Sequence, residues 1–514
     1  MEALSASLLS IADWITAHIT MWVLVGTGVV LTIASRGMQV RLFPAMVRTV
    51  LGSRQGAGGG ISSFQAFTIS LAARVGVGNV FGVAAALLLG GPGAIFWMWV
   101  VALVGMSTAF FEATLAQVFK VRAADGTFRG GPAYYMARGM RSRALASVFA
   151  AITVITCAFV ITSVQANAIA GTLLSALGDT GASPLEGLGG LSPAQLVIAA
   201  LLFVFSSMVI FGGIRSVARV TEWMAPIMAL IYVAMVAVIV GLNLSQFDEV
   251  IVQIVKGAFA PEPLVGGLGG GMLAAVVNGT KRGLFSNEAG QGTAPNAAAT
   301  ATVDHPVKQG LIQSLGVFID TIIVCTATAF VILIAGPEVW GAPGVSPANL
   351  TTLAVARELG GWTIMPMAVL IFVLAYSSII AAYVYSATNM AFLTGAAWAT
   401  WAVRVLSVAS VVVGALASLA LVWNTVDIAM AVMTVTNLVA LLTLSRWGLG
   451  ALRDYEAQRR AGVDSPVFVG TGNPHLPGDV PGDVWAPRPA EPTAEPAGPA
   501  TGQASSSSLP PEPS

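Results

Sequence analysis

Residues 64–90 read FQAFTISLAARVGVGNVFGVAAALLLG, and residues 269–301 read GGGMLAAVVNGTKRGLFSNEAGQGTAPNAAATA. Each is long enough to cross a bilayer, and each is interrupted by glycines and polar side chains where a spanning helix is normally unbroken. In the first, about ten apolar residues precede Arg74, Gly76, Gly78 and Asn79, which is about half the hydrocarbon thickness at a helical rise. The second is polar through much of its later half. Irregular backbone at membrane depth is tolerated only when protein buries it or a watery cavity receives it. A flexible kink or the re-entrant loop of a channel is the alternative. Position favours a transporter: with the first span set aside, the two interrupted segments open two successive groups of five spans. Interrupted helices at matching places in two halves point to the substrate site of an inverted-repeat transporter. A faint echo agrees, since Arg74 precedes Asn79 by the same interval as Arg282 precedes Asn287.

The rest of the chain has the composition of a lipid-solvated protein. Of its 514 residues, 56% are hydrophobic and 9% charged, against roughly 25% charged in ordinary soluble domains. A soluble chain with so few charges has too little polar surface to cover itself, so the bilayer is the expected partner. Net charge is zero, which gives no electrostatic case for nucleic acid. Cys157 and Cys325 sit in apolar runs and read as small core residues. His18, His305 and His475 show no metal-ligand spacing. No Walker-type glycine loop is present, so no nucleotide drive is expected.

Eleven spans are predicted, near 20–35, 64–90, 92–119, 146–176, 194–213, 220–242, 266–302, 309–335, 366–393, 402–423 and 428–447. Residues 1–19 carry no basic cluster before an apolar core, so no cleaved signal peptide is expected. Lys and Arg set the orientation. With strict alternation, 19 of the 24 basic residues fall on one side, among them Arg36, Arg41, Arg48, Arg54, Lys120, Arg138, Lys308, Arg404, Arg453 and Arg488. Only Lys256 and Arg357 fall on the other, while Arg74, Lys281 and Arg282 lie within spans. This predicts a multi-pass plasma-membrane protein with its amino terminus outside and its carboxyl terminus cytoplasmic. Its expected divisions are an outer segment 1–19, an extra helix and loop 20–60, a first five-helix unit 61–242, an external loop 243–265, a second unit 266–450 and a tail 451–514. From about residue 462 the composition is rich in Pro, Gly, Ala and Ser, which predicts disorder.

A broken helix presents free N–H groups to an anion and free carbonyls to a cation. Glycine there lets a ligand approach the backbone. A zwitterionic amino acid with a small monovalent cation suits that pair of ends. An unpaired charge at mid-membrane costs at least about 2.5–3.5 kcal/mol, so Arg74, Lys281 and Arg282 are expected to pair with Glu288, Asp320 or helix carbonyls. Asp320 is either a proton site or a structural partner, and Glu112 a gate or interface group. Gln165 and Asn167 either touch ligand or bond between helices. Ser377 and Ser378 bind an ion or bond back to their own helix. Gly130-Gly131-Pro132 with Tyr134 and Tyr135 reads as a turn with interfacial aromatics, and Trp97 and Trp99 as packing.

Five blocks are similar to the alanine or glycine:cation symporter family of the amino acid–polyamine–organocation superfamily: ARVGVGNVFGV (73–83), GGPGAIFWMWV (90–100), FRGGPAYYMARGM (128–140), NGTKRGLFSNEAGQGTAPNAAATA (278–301) and FIDTIIVCTATAF (318–330). The resemblance spans about residues 20–450. It implies an all-α LeuT-type fold, a 5+5 inverted repeat with one extra amino-terminal helix, and sodium-coupled uptake of small neutral amino acids without any further cofactor. Carried over residue by residue, it places the substrate against Gly76, Val77, Gly78, Asn79, Gln165, Asn278, Gly279, Ser378 and Ala382. Sodium would take carbonyls near Ala73 and Gly76 with the hydroxyls of Ser377 and Ser378. Arg74, Glu112, Arg282, Glu288 and Asp320 are the candidate coupling or gating charges. Two departures bear on the substrate. Val77 stands where the family usually has threonine, and Ala382 where it usually has tryptophan, unless Tyr383 turns in to fill the space. The pocket therefore suits a larger side chain than alanine's. The rival functions are proton coupling through Asp320 or Glu288, and an amino acid sensor of the same fold. An intramembrane enzyme has no Ser/His pair, HExxH run or paired aspartates behind it.

Overall fold

A computed structural model of the chain describes residues 2–53, 61–124, 126–178, 191–262, 270–416 and 419–487. Arg54, Arg488 and the end of the predicted tail, 488–514, lie outside the described residues. Among the described residues the regular structure is helical apart from one short antiparallel pair, Val121–Arg122 with Phe128–Arg129, and an isolated bridge between Ile61 and Ala301.

Among the described residues, nine helices are long and apolar enough to cross a membrane, or ten with a pair bent by 44° counted as one span. In chain order they are α1 (Ser7–Ala34), the bent pair α2 (Ser63–Arg74) and α3 (Gly78–Gly90), and α4 (Gly93–Val118). A short connector, α5 (Pro132–Arg138), leads to α6 (Arg143–Ala176), α7 (Pro193–Ile210) and α8 (Gly213–Leu242). The second interrupted segment follows as α9 (Met272–Asn287) and α10 (Ala294–Ala298). The remaining spans are α11 (Pro306–Ala335), α12 (Gly361–Leu393), α13 (Ala397–Leu416) and α14 (Thr425–Arg460). Of the eleven expected spans, the one near 266–302 does not pass on length among the described residues, because α9 has only 16 residues and the helix that follows it is short.

Local chemistry explains several boundaries. Ser62 and Gln65 form a reciprocal capping box that starts α2: the Gln65 N–H donates to Ser62 Oγ at 3.1 Å and the Ser62 N–H to Gln65 Oε1 at 3.0 Å. Pro193 and Pro306 open α7 and α11, where a missing N–H costs nothing. A Cβ on Gly279 would lie 2.5 Å from the Ala94 carbonyl oxygen, so this glycine lets α9 rest directly on α4.

Two sequence expectations are revised. The first span begins at Ser7 rather than near residue 20, because residues 7–19 carry a single carboxylate, Asp13, among mostly apolar and hydroxyl side chains, and the helix continues through a π-helical turn at Thr16–Thr20. The tail is not featureless. Residues 463–487 pack on the end of the bundle that carries Arg138, Lys120 and Lys308, with Phe468, Val480 and Trp485 buried. Average composition concealed those three apolar anchors.

Candidate substrate and ion site

The first break is short and fully buried. Helix α2 ends at Arg74, and α3 starts at Gly78 with a π-helical turn, Gly78–Gly82. Wide turns of this kind occur often at functional sites. Asn79 ties the break to itself: its side-chain oxygen accepts the Gly76 N–H at 2.9 Å, and its own N–H donates to the Gly76 carbonyl at 3.3 Å. The Val77 N–H donates to Gln165 Oε1 on α6 at 3.3 Å. Asn167, one turn-face away, bonds instead to the Gly414 carbonyl of α13 at 3.0 Å.

Across from the break, Ser377 and Ser378 on α12 reach the open carbonyls of α2. Ser378 Oγ donates to the Ala72 oxygen at 2.9 Å and lies 3.1 Å from the Ala73 oxygen; Ser377 Oγ donates to the Ala72 oxygen at 3.1 Å. A Cβ on Gly76 would stand 2.2 Å from Ser378 Oγ, so only glycine fits against this hydroxyl. Sequence reasoning named Ala73, Gly76, Ser377 and Ser378 but missed the Ala72 carbonyl. All these donors are neutral oxygens.

Three carboxylates surround the breaks. Asp320, in the π-helical stretch Phe318–Cys325 of α11, accepts from Asn79 Nδ2 at 2.6 Å, Ser286 Oγ at 2.7 Å and Thr321 Oγ1 at 2.9 Å. It therefore joins the first break to the end of α9 and to α11. Glu112 on α4 accepts the backbone N–H groups of Gly290 at 3.1 Å and Gly292 at 2.9 Å, and Asn437 Nδ2 at 2.5 Å. The second break, from Glu288 to Thr293, is thus held by a carboxylate facing its free N–H groups. Glu288 sits in a left-handed conformation at φ +55° and accepts from Thr293 Oγ1 at 2.9 Å and Tyr385 Oη at 3.3 Å.

Arg74 takes a helix carbonyl, one of the partners expected for it, whereas Lys281 and Arg282 pair with other carboxylates than those expected. Arg74 is 1% exposed; its Nη1 donates to the Gln313 carbonyl at 3.1 Å, and its Nε and Nη2 have no hydrogen-bond partner among the described residues. It acts on Glu112, Glu288 and Asp320 only at longer electrostatic range. Arg282 pairs with Asp427 on α14 at 2.9 Å and stacks over Trp423, while Lys281 pairs with Asp13 on α1. Neither Glu288 nor Asp320 is their partner. The second break also falls later than Asn278 and Gly279, which lie inside α9; Asn278 Nδ2 bonds the Ala274 carbonyl of its own helix at 3.0 Å. Tyr135 is likewise no interfacial aromatic: it is buried and its hydroxyl bonds Asn437, within the Glu112 network. Trp97 and Trp99 pack as expected, bonded to the Ala258 carbonyl and Thr326.

Ala382 lies one turn beyond Ser378 and is buried. The hydroxyl of the neighbouring Tyr383 accepts from Arg404 Nε on α13 at 3.2 Å. Sequence reasoning missed Tyr385, Asn437, Ser286 and Thr328, whose hydroxyl donates to the Asn79 carbonyl at 2.7 Å. Only their polarity inside apolar runs marked them out.

A membrane bundle whose interrupted helices meet in a buried polar centre defines a solute transporter rather than an enzyme. The chain belongs to the sodium:alanine symporter family, whose model matches residues 1–469. It is 42% identical to the amino-acid carrier protein AlsT of Bacillus subtilis, over 93% of this chain and 97% of that one. It is 39% identical to the probable sodium/glutamine symporter GlnT of the same organism, over 89% and 91%. The sodium/alanine symporter AgcS of Methanococcus maripaludis is 36% identical, over 82% and 90%.

Proposed function

We propose that the protein carries a small neutral amino acid across the plasma membrane together with sodium, by alternating access in a LeuT-type 5+5 inverted repeat. The observation that carries this is the opposition of the Gly76 break to Ser377 and Ser378. The carbonyls of Ala72, Ala73 and Gly76 and the two hydroxyls form a set of neutral oxygens suited to a hard monovalent cation. The N–H groups after Gly76 offer the opposite end to a carboxylate. Gln165 orders the Val77 amide, and Gly78, Asn79 and Ala382 bound the space beside it. Asn278 and Gly279 serve as packing for α9 in this reading and reach substrate only by a shift of that helix. Asp320 and Glu112 hold the two breaks in register, with Arg74 and Glu288 as the charges between them.

The relatives named for alanine and for glutamine bracket the side-chain size, and the small side chain of Ala382 favours the larger end. One sodium entering down about 100 mV and a tenfold gradient supplies about 3.7 kcal/mol, enough for a few hundred-fold accumulation. The excess of Lys and Arg at one end assigns that end to the cytoplasm, with the amino terminus outside.

If ion and carboxylate share one break, the amino acid stabilises the protein only when sodium is present, and sodium tightens by the same factor in return. A thermal-shift series with each amino acid in sodium and in choline tests this. Equal stabilisation in choline would transfer the coupling to protons at Asp320 or Glu288, and binding without accumulation in vesicles would mark a sensor. Ser378→Ala should raise the sodium concentration for half-maximal uptake by about 5–30-fold, the loss of about 1–2 kcal/mol of ligation, with a smaller change in maximal rate. An unaltered sodium curve would move the ion elsewhere.

A further inference from the structure

We propose that residues 463–487 form a strap that locks the basic end of the bundle, and that the strap must detach each time this end opens. The strap lies largely past residue 469, where the family model stops. Its contacts are specific. The Phe468 N–H donates to the Asp304 carbonyl at 2.8 Å, and the Trp485 indole N–H to the Gln117 carbonyl at 2.9 Å. Arg138 of α5 bridges the Phe119 and Lys120 carbonyls to that of Pro481. Gln458 of α14 exchanges two hydrogen bonds with Val467, each 2.9 Å, and Lys308 of α11 donates to Ser465 at 3.1 Å. The strap folds on itself through the Gly470 N–H to the Trp485 carbonyl and the Val480 N–H to the Gly470 carbonyl.

These contacts converge on the inner half of the second interrupted segment. Trp485 covers Lys120 at 4.9 Å, and Lys120 in turn donates to the Ala301 carbonyl at 2.9 Å. Gln117, which receives the indole, donates to the carbonyls of Ala298 and Ala301. Phe468 packs edge-on against both Trp485 and His305. The strap therefore joins the ends of α4, α5, α11 and α14 to the turn that follows α10. Every residue from Gly279 to Ala301 is buried in this arrangement. A path to the basic end has to separate some of these ends, and the strap spans them all. The proposal rests on the transporter reading, which requires such a path.

Hydrogen exchange read by mass spectrometry on the full chain in nanodiscs tests this. In sodium alone, Trp485→Ala should speed exchange of residues 294–308 by about tenfold over wild type, with Trp485→Phe in between. In wild type, L-alanine or L-glutamine added with sodium should speed exchange of 463–487 to a similar extent. No acceleration at 294–308 in Trp485→Ala would overturn the strap. So would an amino acid response in residues 61–90 and 272–301 with none in 463–487, which would make the segment a permanent part of the bundle. An amino acid arm that is flat everywhere, beside a positive Trp485→Ala arm, would count against the substrate and leave the lock standing.

Discussion

Replacing Asp427 by alanine is expected to be the most destabilising single change outside the substrate region. Its carboxylate is 3% exposed and receives Arg282 Nη2 at 2.9 Å, with Lys281 Nζ at 3.7 Å. Arg282 Nε and Nη1 have no other hydrogen-bond partners among the described residues, and the guanidinium lies against Trp423. The substitution leaves a buried cation with an aromatic face as its nearest compensation. Breaking a buried pair from one side costs about 3–5 kcal/mol, two orders of magnitude or more in the folding equilibrium. Asp13→Ala should cost far less, under about 1 kcal/mol, because Asp13 is half exposed and Lys281 keeps Asp427 nearby. Thermal unfolding of the purified variants should show a large fall for Asp427→Ala and a small one for Asp13→Ala. Equal melting of Asp427→Ala and wild type would mean that Arg282 finds water or lipid headgroups instead.

That contrast shows what the sequence made legible. Arg74, Lys281 and Arg282 were recognisable as costly charges because hydropathy alone puts them inside spans. The partners of Lys281 and Arg282 were not, since Asp427 lies 145 positions from Arg282 and Asp13 lies 268 from Lys281. Pairing across such separations is set by how helices pack. The nearby carboxylates Glu288 and Asp320 looked like partners, but side-chain hydroxyls and the Asn79 amide already satisfy them.

The two breaks differ in the same way. Gly76-Val77-Gly78 interrupts an otherwise apolar run, and the chain does bend there. In the second segment almost every residue from Asn278 onward is polar or small, so the pattern does not say where the helix stops. It runs to Asn287 because side groups from α1, α11 and α14 satisfy its polar face. It stops at Glu288 because Glu112 offers the following N–H groups a better partner than another helical turn. The tail misled for a different reason. Disorder was inferred from average composition, whereas docking depends on a few apolar side chains placed against a prepared surface.

The second large effect concerns which amino acid is carried. Ala382 stands one turn from Ser378 on the face of α12 that meets the first break, and residues four apart on a helix are neighbours. The hydroxyl of Tyr383 is engaged by Arg404 and that of Tyr385 by Glu288, and the Ala382 methyl is far smaller than the indole that the family resemblance leads one to expect there. Wild type should therefore prefer a neutral amino acid bulkier than alanine. Ala382→Trp should reverse the order, lowering uptake of the bulky substrate by about 10–200-fold relative to alanine, the range that one hydrophobic pocket can discriminate. Val77→Thr should act differently. A hydroxyl beside the Val77 amide meets the carboxylate that every amino acid presents, so affinity should rise by about 0.5–1.5 kcal/mol for all of them alike. Competition uptake with a graded series from glycine to phenylalanine separates the two, because one variant changes the order and the other shifts every member together. A wild type that already prefers glycine or alanine, with a series unaltered by Ala382→Trp, would show that helix α12 turns Ala382 away from the substrate and that size selection is set elsewhere.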